Sequence, residues 1–139
     1  MKLLTFQASR FGWKAFSKTL DQVPELGSLE GRVTEAVVAF IHVESRDEPE
    51  AQRKRVFKHT LKHLKWLANK RGFNTIVLHS FTHLGGDNAD PAFALEFLRE
   101  MAQRLTKTGY RVEITPFGWF SAWDIDVYGD SLAKVFKEI

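Results

Sequence analysis

The sequence predicts an α/β (α+β) domain, a layered sheet carrying two long helices. Three observations lead there. Residues 35–44 (EAVVAFIHVE) and 73–79 (FNTIVLH) are apolar runs rich in β-branched and aromatic side chains and read as strands. The second run is nearly continuous, as a strand covered on both faces should be. Each strand is followed by a long segment with apolar residues at helical spacing and a proline near its start. Strands alternating with helices specify packed layers around one core.

Taken in order, residues 2–7 (KLLTFQ) read as a first strand. Residues 9–32 are mixed, with Pro24, Gly27 and Gly31 as breakers, and leave room for a short second strand near Phe11–Phe16 and then a loop. After the 35–44 strand, Asp47, Glu48 and Pro49 open a helix that runs to about Asn69, because proline and acids suit a first turn. Val56, Phe57, Thr60, Leu61, Leu64, Leu67 and Ala68 form its buried stripe, and Gly72 stops it. Asp90 then caps a second helix that has Pro91 at its first position, and Gly109 ends it. Residues 110–116 read as a strand, residues 119–128 as an antiparallel partner, and SLAKVFKEI as a short closing helix.

The bulk properties exclude several classes. A chain of 139 residues without repeat or linker fits one domain, 1–139. There is no cysteine, so disulfide and thiolate chemistry are absent. No apolar run approaches the roughly 20 residues that cross a bilayer. The start of the chain lacks the long apolar stretch of a signal peptide. No membrane association is expected, and a cytoplasmic location is the default. Net charge is only +3, yet residues 51–71 carry eight Lys/Arg and no acid. Arg53, Lys54, Lys58, Lys62 and Lys65 on that helix form a candidate face for nucleic-acid phosphates. A solvated helix with cations near its C-terminal dipole is the plainer account.

Four places carry potential chemistry. His59 and His63 are spaced to share a zinc ion on the basic helix, but nothing completes the set, so they read as surface histidines and no metal is assigned. His79 and His83 bracket a strand end, where open α/β sheets commonly hold ligands. Alternation puts His79 and Phe81 on one face and Ser80 on the other, and a histidine there can act as acid, base or donor. In PFGWFSAW (116–123), Pro116, Phe117, Gly118 and Phe120 form an aromatic turn, where glycine permits close backbone approach. Asp124 and Asp126 share a strand face, have no evident basic partner and read as solvent-facing.

EAVVAFIHVESRDE, HSFTHLGGDNADPAFALEFLREMAQRLTKTGYRVEITPFGWFSAW and GDSLAKVF, with KLLTFQAS more weakly, resemble the archaeal-type editing domain of threonyl-tRNA synthetase over essentially the whole chain. The ordered pair FTHL … PFG is the most specific part. The resemblance implies a deacylase-like fold, similar to D-aminoacyl-tRNA deacylases, in a homodimer with a barrel-like core. It implies hydrolysis of serine wrongly esterified to threonine tRNA, without metal or cofactor, by a positioned water helped by the 2′-hydroxyl of the terminal adenosine. The aminoacyl group would lie against main chain near His79–Phe81 and Pro116–Phe120. The family's histidine falls on His83, its lysine on Ser121 and its acid on Lys134. Lys134 is expected to reach into the space that Ser121 leaves. Nothing in the chain binds ATP, so a synthetase catalytic domain would act with it in cis or in trans. Two other readings stay open: a catalytically silent module that binds tRNA or serves as a structural appendage, and a small-molecule binding protein reusing the pocket.

Overall fold

The computed structural model describes residues 1–139. Six strands form one sheet: β1 (Lys2–Lys18), β2 (Glu30–His42), β3 (Thr75–Ser80), β4 (Arg111–Ile114), β5 (Trp119–Val127) and β6 (Lys134–Glu138). Helices α1 (Glu50–Arg71) and α2 (Pro91–Lys107) are the crossovers of the parallel pairs β2–β3 and β3–β4. The order is β4-β3-β2-β1-β5, and β6 also pairs with β1. The expected mixed α/β architecture is present.

Both helices cover one face. Leu3, Val37, Ala39, Ile41, Ile76 and Leu78 point into a core completed by Val56, Leu64 and Leu67 of α1 and by Leu95, Leu98 and Met101 of α2. The Phe57 and Phe97 rings join the helices at 5.4 Å. The alternate positions Val38, Phe40, Val77, Ala8, Phe11 and Trp13 form a second core on the opposite face. That core is enclosed because the sheet curls. Trp123 lies opposite Trp13 in register, and Phe40 lies opposite Leu4, yet the Trp123 and Phe40 rings are 4.9 Å apart. Shifts of register between β1 and β5 at Ala8/Arg10 and Ala15/Ser17 mark where the long strand bends.

Several boundaries differ from expectation. The two short strands expected in residues 2–16 are one strand of 17 residues. A bulge lets the chain turn without leaving the ladder, which local composition does not reveal. Pro49 is the N-cap of α1 rather than its first turn, and Ser45–Asp47 form a separate 3₁₀ turn closed by Glu44 and Asp47. The expected closing helix is absent: Ser131–Ala133 make one 3₁₀ turn and β6 follows. β5 pairs only with the second half of β1, and β6 satisfies the backbone groups of the first half. Asp124 is exposed as expected, but it accepts hydrogen bonds from Arg10 Nε at 3.0 Å and Arg32 Nη2 at 3.1 Å, which lower its pKa. His63 is buried rather than on the surface, stacked on Trp66 at 6.2 Å.

Candidate active site

A cleft of about 500 Å³ opens where β3 ends. Its first wall is His79 and Ser80 at the strand end with Phe81, Thr82 and His83 beyond it; the opposing wall is Phe117–Ser121 with Trp123. Main-chain bonds hold both walls. Phe81 N donates to Ile41 O at 2.9 Å, Thr115 N to Leu78 O at 3.1 Å, and Phe117 N to Leu26 O at 2.9 Å. Gly118, at φ 78°, lets the second wall turn back, and its carbonyl accepts from Thr19 N at 2.7 Å.

His79 and His83 meet different environments. His79 is buried, and its Nδ1 hydrogen-bonds Thr115 Oγ1 at 2.7 Å. Phe40, Phe81 and Trp123 surround the ring at 4.7, 5.9 and 5.2 Å. Burial pushes the imidazole down to about 4, so it is neutral at physiological pH. His83 is exposed in the loop, its ring 5.2 Å from that of Phe81. Ser121 lines the same cleft from β5, and its Oγ is shielded without a hydrogen-bond partner.

Of the residues singled out from sequence, His79, Ser80, Phe81, His83, Phe117, Gly118, Phe120 and Ser121 line this cleft. Pro116 is buried and is not part of the lining. Lys134 is also outside it. It is exposed on β6, opposite Phe6 of β1, so the compensation expected between Ser121 and Lys134 does not form within the chain. Sequence reasoning missed Thr19, Asn88 and Trp123 as lining residues. Trp123 was visible only as part of the aromatic segment 116–123, and nothing in the sequence singled out Asn88. No Asp, Glu, Lys or Arg lines the cleft.

On α1, the expected phosphate face is partly spoken for. Arg53 pairs with Glu100 of α2, and Lys54 with Glu50 at 2.8 Å. Lys58, Lys62 and Lys65 have no acidic partner.

A family model described as the archaea-specific editing domain of threonyl-tRNA synthetase matches residues 1–139. The chain belongs to this family. Threonine–tRNA ligase of Staphylothermus marinus is 34% identical over 142 residues, covering 100% of this chain and 22% of the relative. Those of Thermofilum pendens and Methanocaldococcus jannaschii are each 29% identical, with the same 100% and 22% coverage. The editing domain thus spans about a fifth of the length of these curated relatives. A solved structure of the c-Myc DNA unwinding element binding protein superposes with a TM-score of 0.62 at 13% identity, covering 100% of this chain and 99% of that one. At that identity the likeness is one of fold. No helix of the editing domain is long and apolar enough to cross a membrane.

Proposed function

We propose that this editing domain hydrolyses the ester of mischarged aminoacyl-tRNA, with serine on threonine tRNA as the substrate. The observation that carries this reading is the single cleft that brings His83 and Ser121 against the Phe117–Phe120 main chain, in a chain matched over its whole length by the editing family.

The terminal adenosine and its amino acid enter between the two walls. A water bonds through its oxygen to the ester carbonyl carbon while His83 takes its proton. The tetrahedral intermediate then collapses, the bond from carbon to the ribose oxygen breaks, and that oxygen receives the proton from His83. Serine and tRNA leave. The adenosine 2′-hydroxyl helps hold the water; Ser121 shapes the wall, its Oγ being shielded from the cleft. With no full charge in the lining except on a protonated His83, charge developing on the carbonyl oxygen falls to main-chain N–H groups. His79 has no proton role in this scheme, because burial makes it a weak base and its Nδ1 is engaged by Thr115 as it supports the wall. Lys134 has no role within the chain.

The test is hydrolysis of seryl-tRNA for threonine by the wild type and by His83→Ala. The wild type should release serine well above the buffer rate, and the variant should lose about 10²- to 10⁴-fold. A folded wild type with no rate above buffer sinks the reading. The absence of lysine and carboxylate from the cleft favours, as second reading, a member that binds tRNA without turnover. Its signature is salt-dependent tRNA binding with no hydrolysis.

Lys58, Lys62 and Lys65 are the proposed phosphate face in either case, with Arg53 and Lys54 subordinate because acids already hold them. The proposed setting is cytoplasmic, in a homodimer, beside a synthetase catalytic domain in cis or in trans. Exposed Phe16, Phe120, Trp123 and Phe136 supply apolar surface for assembly.

A further inference from the structure

We propose that Asn88 is a substrate-binding residue of the cleft, donating a hydrogen bond through its side-chain amide to an oxygen of the aminoacyl-adenosine, and that buried His42 is the positioning residue that aims it. The inference rests on the proposed hydrolase reading and deepens it.

His42 is fully buried at the end of β2. Its Nε2 lies 2.7 Å from the Asp87 carbonyl oxygen and 2.8 Å from Asn88 Oδ1. A carbonyl oxygen only accepts, so Nε2 must carry a hydrogen. The Asn88 atom facing that hydrogen must therefore be an acceptor, because an amide NH₂ there would set donor against donor. The orientation of the Asn88 amide, ordinarily a matter of choice, is thus fixed by its neighbours. Its Oδ1 is held by His42, and its Nδ2 is left without any hydrogen bond in the chain while the residue lines the cleft.

The surroundings show that this arrangement is built. Asp87 is tied down independently, its carboxylate accepting from the Ser45 main-chain N–H at 3.2 Å and from the Ser45 hydroxyl. Ala89 N donates to Val43 O at 3.0 Å. The backbone on both sides of Asn88 is therefore anchored to β2 and the turn after it. His42 Nδ1 is buried without a partner, so the ring gains nothing on its other side, and what it does for the fold is done through Nε2. The cleft also needs such a donor. No lysine or arginine lines it, and its side-chain donors are hydroxyls, indoles, the imidazoles of His79 and His83, and Asn88. A neutral NH₂ held in place donates to a carbonyl or ribose oxygen and loses little freedom on binding.

The experiment is calorimetric binding of a non-hydrolysable seryl-adenosine in which an amide replaces the ester, with melting curves for every variant. Asn88→Asp keeps the acceptor that His42 holds and removes the donor. It should melt like the wild type and bind at least about tenfold more weakly. Asn88→Ala should bind equally weakly. His42→Gln, which keeps an N–H donor, should retain binding within about threefold, whereas His42→Leu should fall to the level of Asn88→Ala. Asn88→Asp binding as tightly as the wild type overturns the inference and leaves the hydrolase reading standing. A wild type that does not bind the analogue overturns the hydrolase reading, and the role of Asn88 falls with it.

Discussion

His79 and His83 are four residues apart, and the fold gives them opposite properties. His83 is exposed at the cleft, so His83→Ala should abolish most turnover while changing stability by no more than about 0.5 kcal/mol. Parallel single-turnover and melting measurements separate the two effects. His79 and His63 are buried, and each is held at about 4; for His63 the cause is burial first and then the nearby Lys137. The sign follows from proton binding. Between about pH 4 and the ordinary histidine value near 6.5, the unfolded chain holds a proton on each ring that the folded chain lacks. Their contribution is therefore complete above about 6.5 and lost as pH falls toward 4, by up to about 3 kcal/mol each. Urea midpoints should drop over that window, and His63→Leu should flatten the drop. An equal drop in the variant refutes this.

Among the elements, α2 and β6 bear most directly on the cleft. Asp90 caps α2, accepting from Ala92 N at 2.9 Å, with Pro91 at the first position. Asp90→Ala should cost about 1 kcal/mol, read as a lower denaturation midpoint with unchanged slope. Because Ala89 and Pro91 lie in the cleft wall, the same variant should also weaken binding of the seryl-adenosine analogue. β6 shows how position overrides pattern. Leu132 and Val135 are spaced as on a helix, yet the segment pairs from Lys134 to Glu138 against the open half of β1, and Thr5 Oγ1 donates to Val135 O at 3.1 Å. That pairing carries Lys134 away from the cleft.

For the molecule as a whole, Glu44 is the point where strand ends meet. The amino group of Met1 donates to Glu44 Oε1 at 2.7 Å and also reaches the Asp47 carboxylate, while Lys2 and Arg46 close on Glu44 from β1 and from the following turn. Arg46 also reaches Glu138 of β6 at 3.0 Å. Burial by itself would raise the Glu44 pKa; its hydrogen bonds with Lys2, the amino terminus and Arg46 outweigh this and hold it at about 2. Its contribution is therefore present above the ordinary glutamate value near 4.5 and lost as pH falls from there toward 2. Glu44→Gln should cost about 3 kcal/mol at neutral pH, because it leaves the buried amino group of Met1 with Asp47 alone and takes the carboxylate from Lys2 and Arg46. A change below about 1 kcal/mol, with β1–β6 amides still protected from exchange, counts against this account.

Much of this was legible in residue order. Local chemistry determined the two helices, with the Gly72 stop and the Asp90-Pro91 start, the buried central strands and the FTHL … PFG pair, because caps, periodicity and motif residues act over a few positions. Tertiary structure decided what depends on distant partners. It joined residues 2–18 into one bent strand, turned the last segment into β6, buried His63, gave Asp124 its arginines and withdrew Lys134 from Ser121. It also placed Asn88 under His42, a contact between residues 46 positions apart. Backbone groups must find partners wherever the chain brings them, and a buried ring takes its proton state from neighbours that sequence spacing does not name.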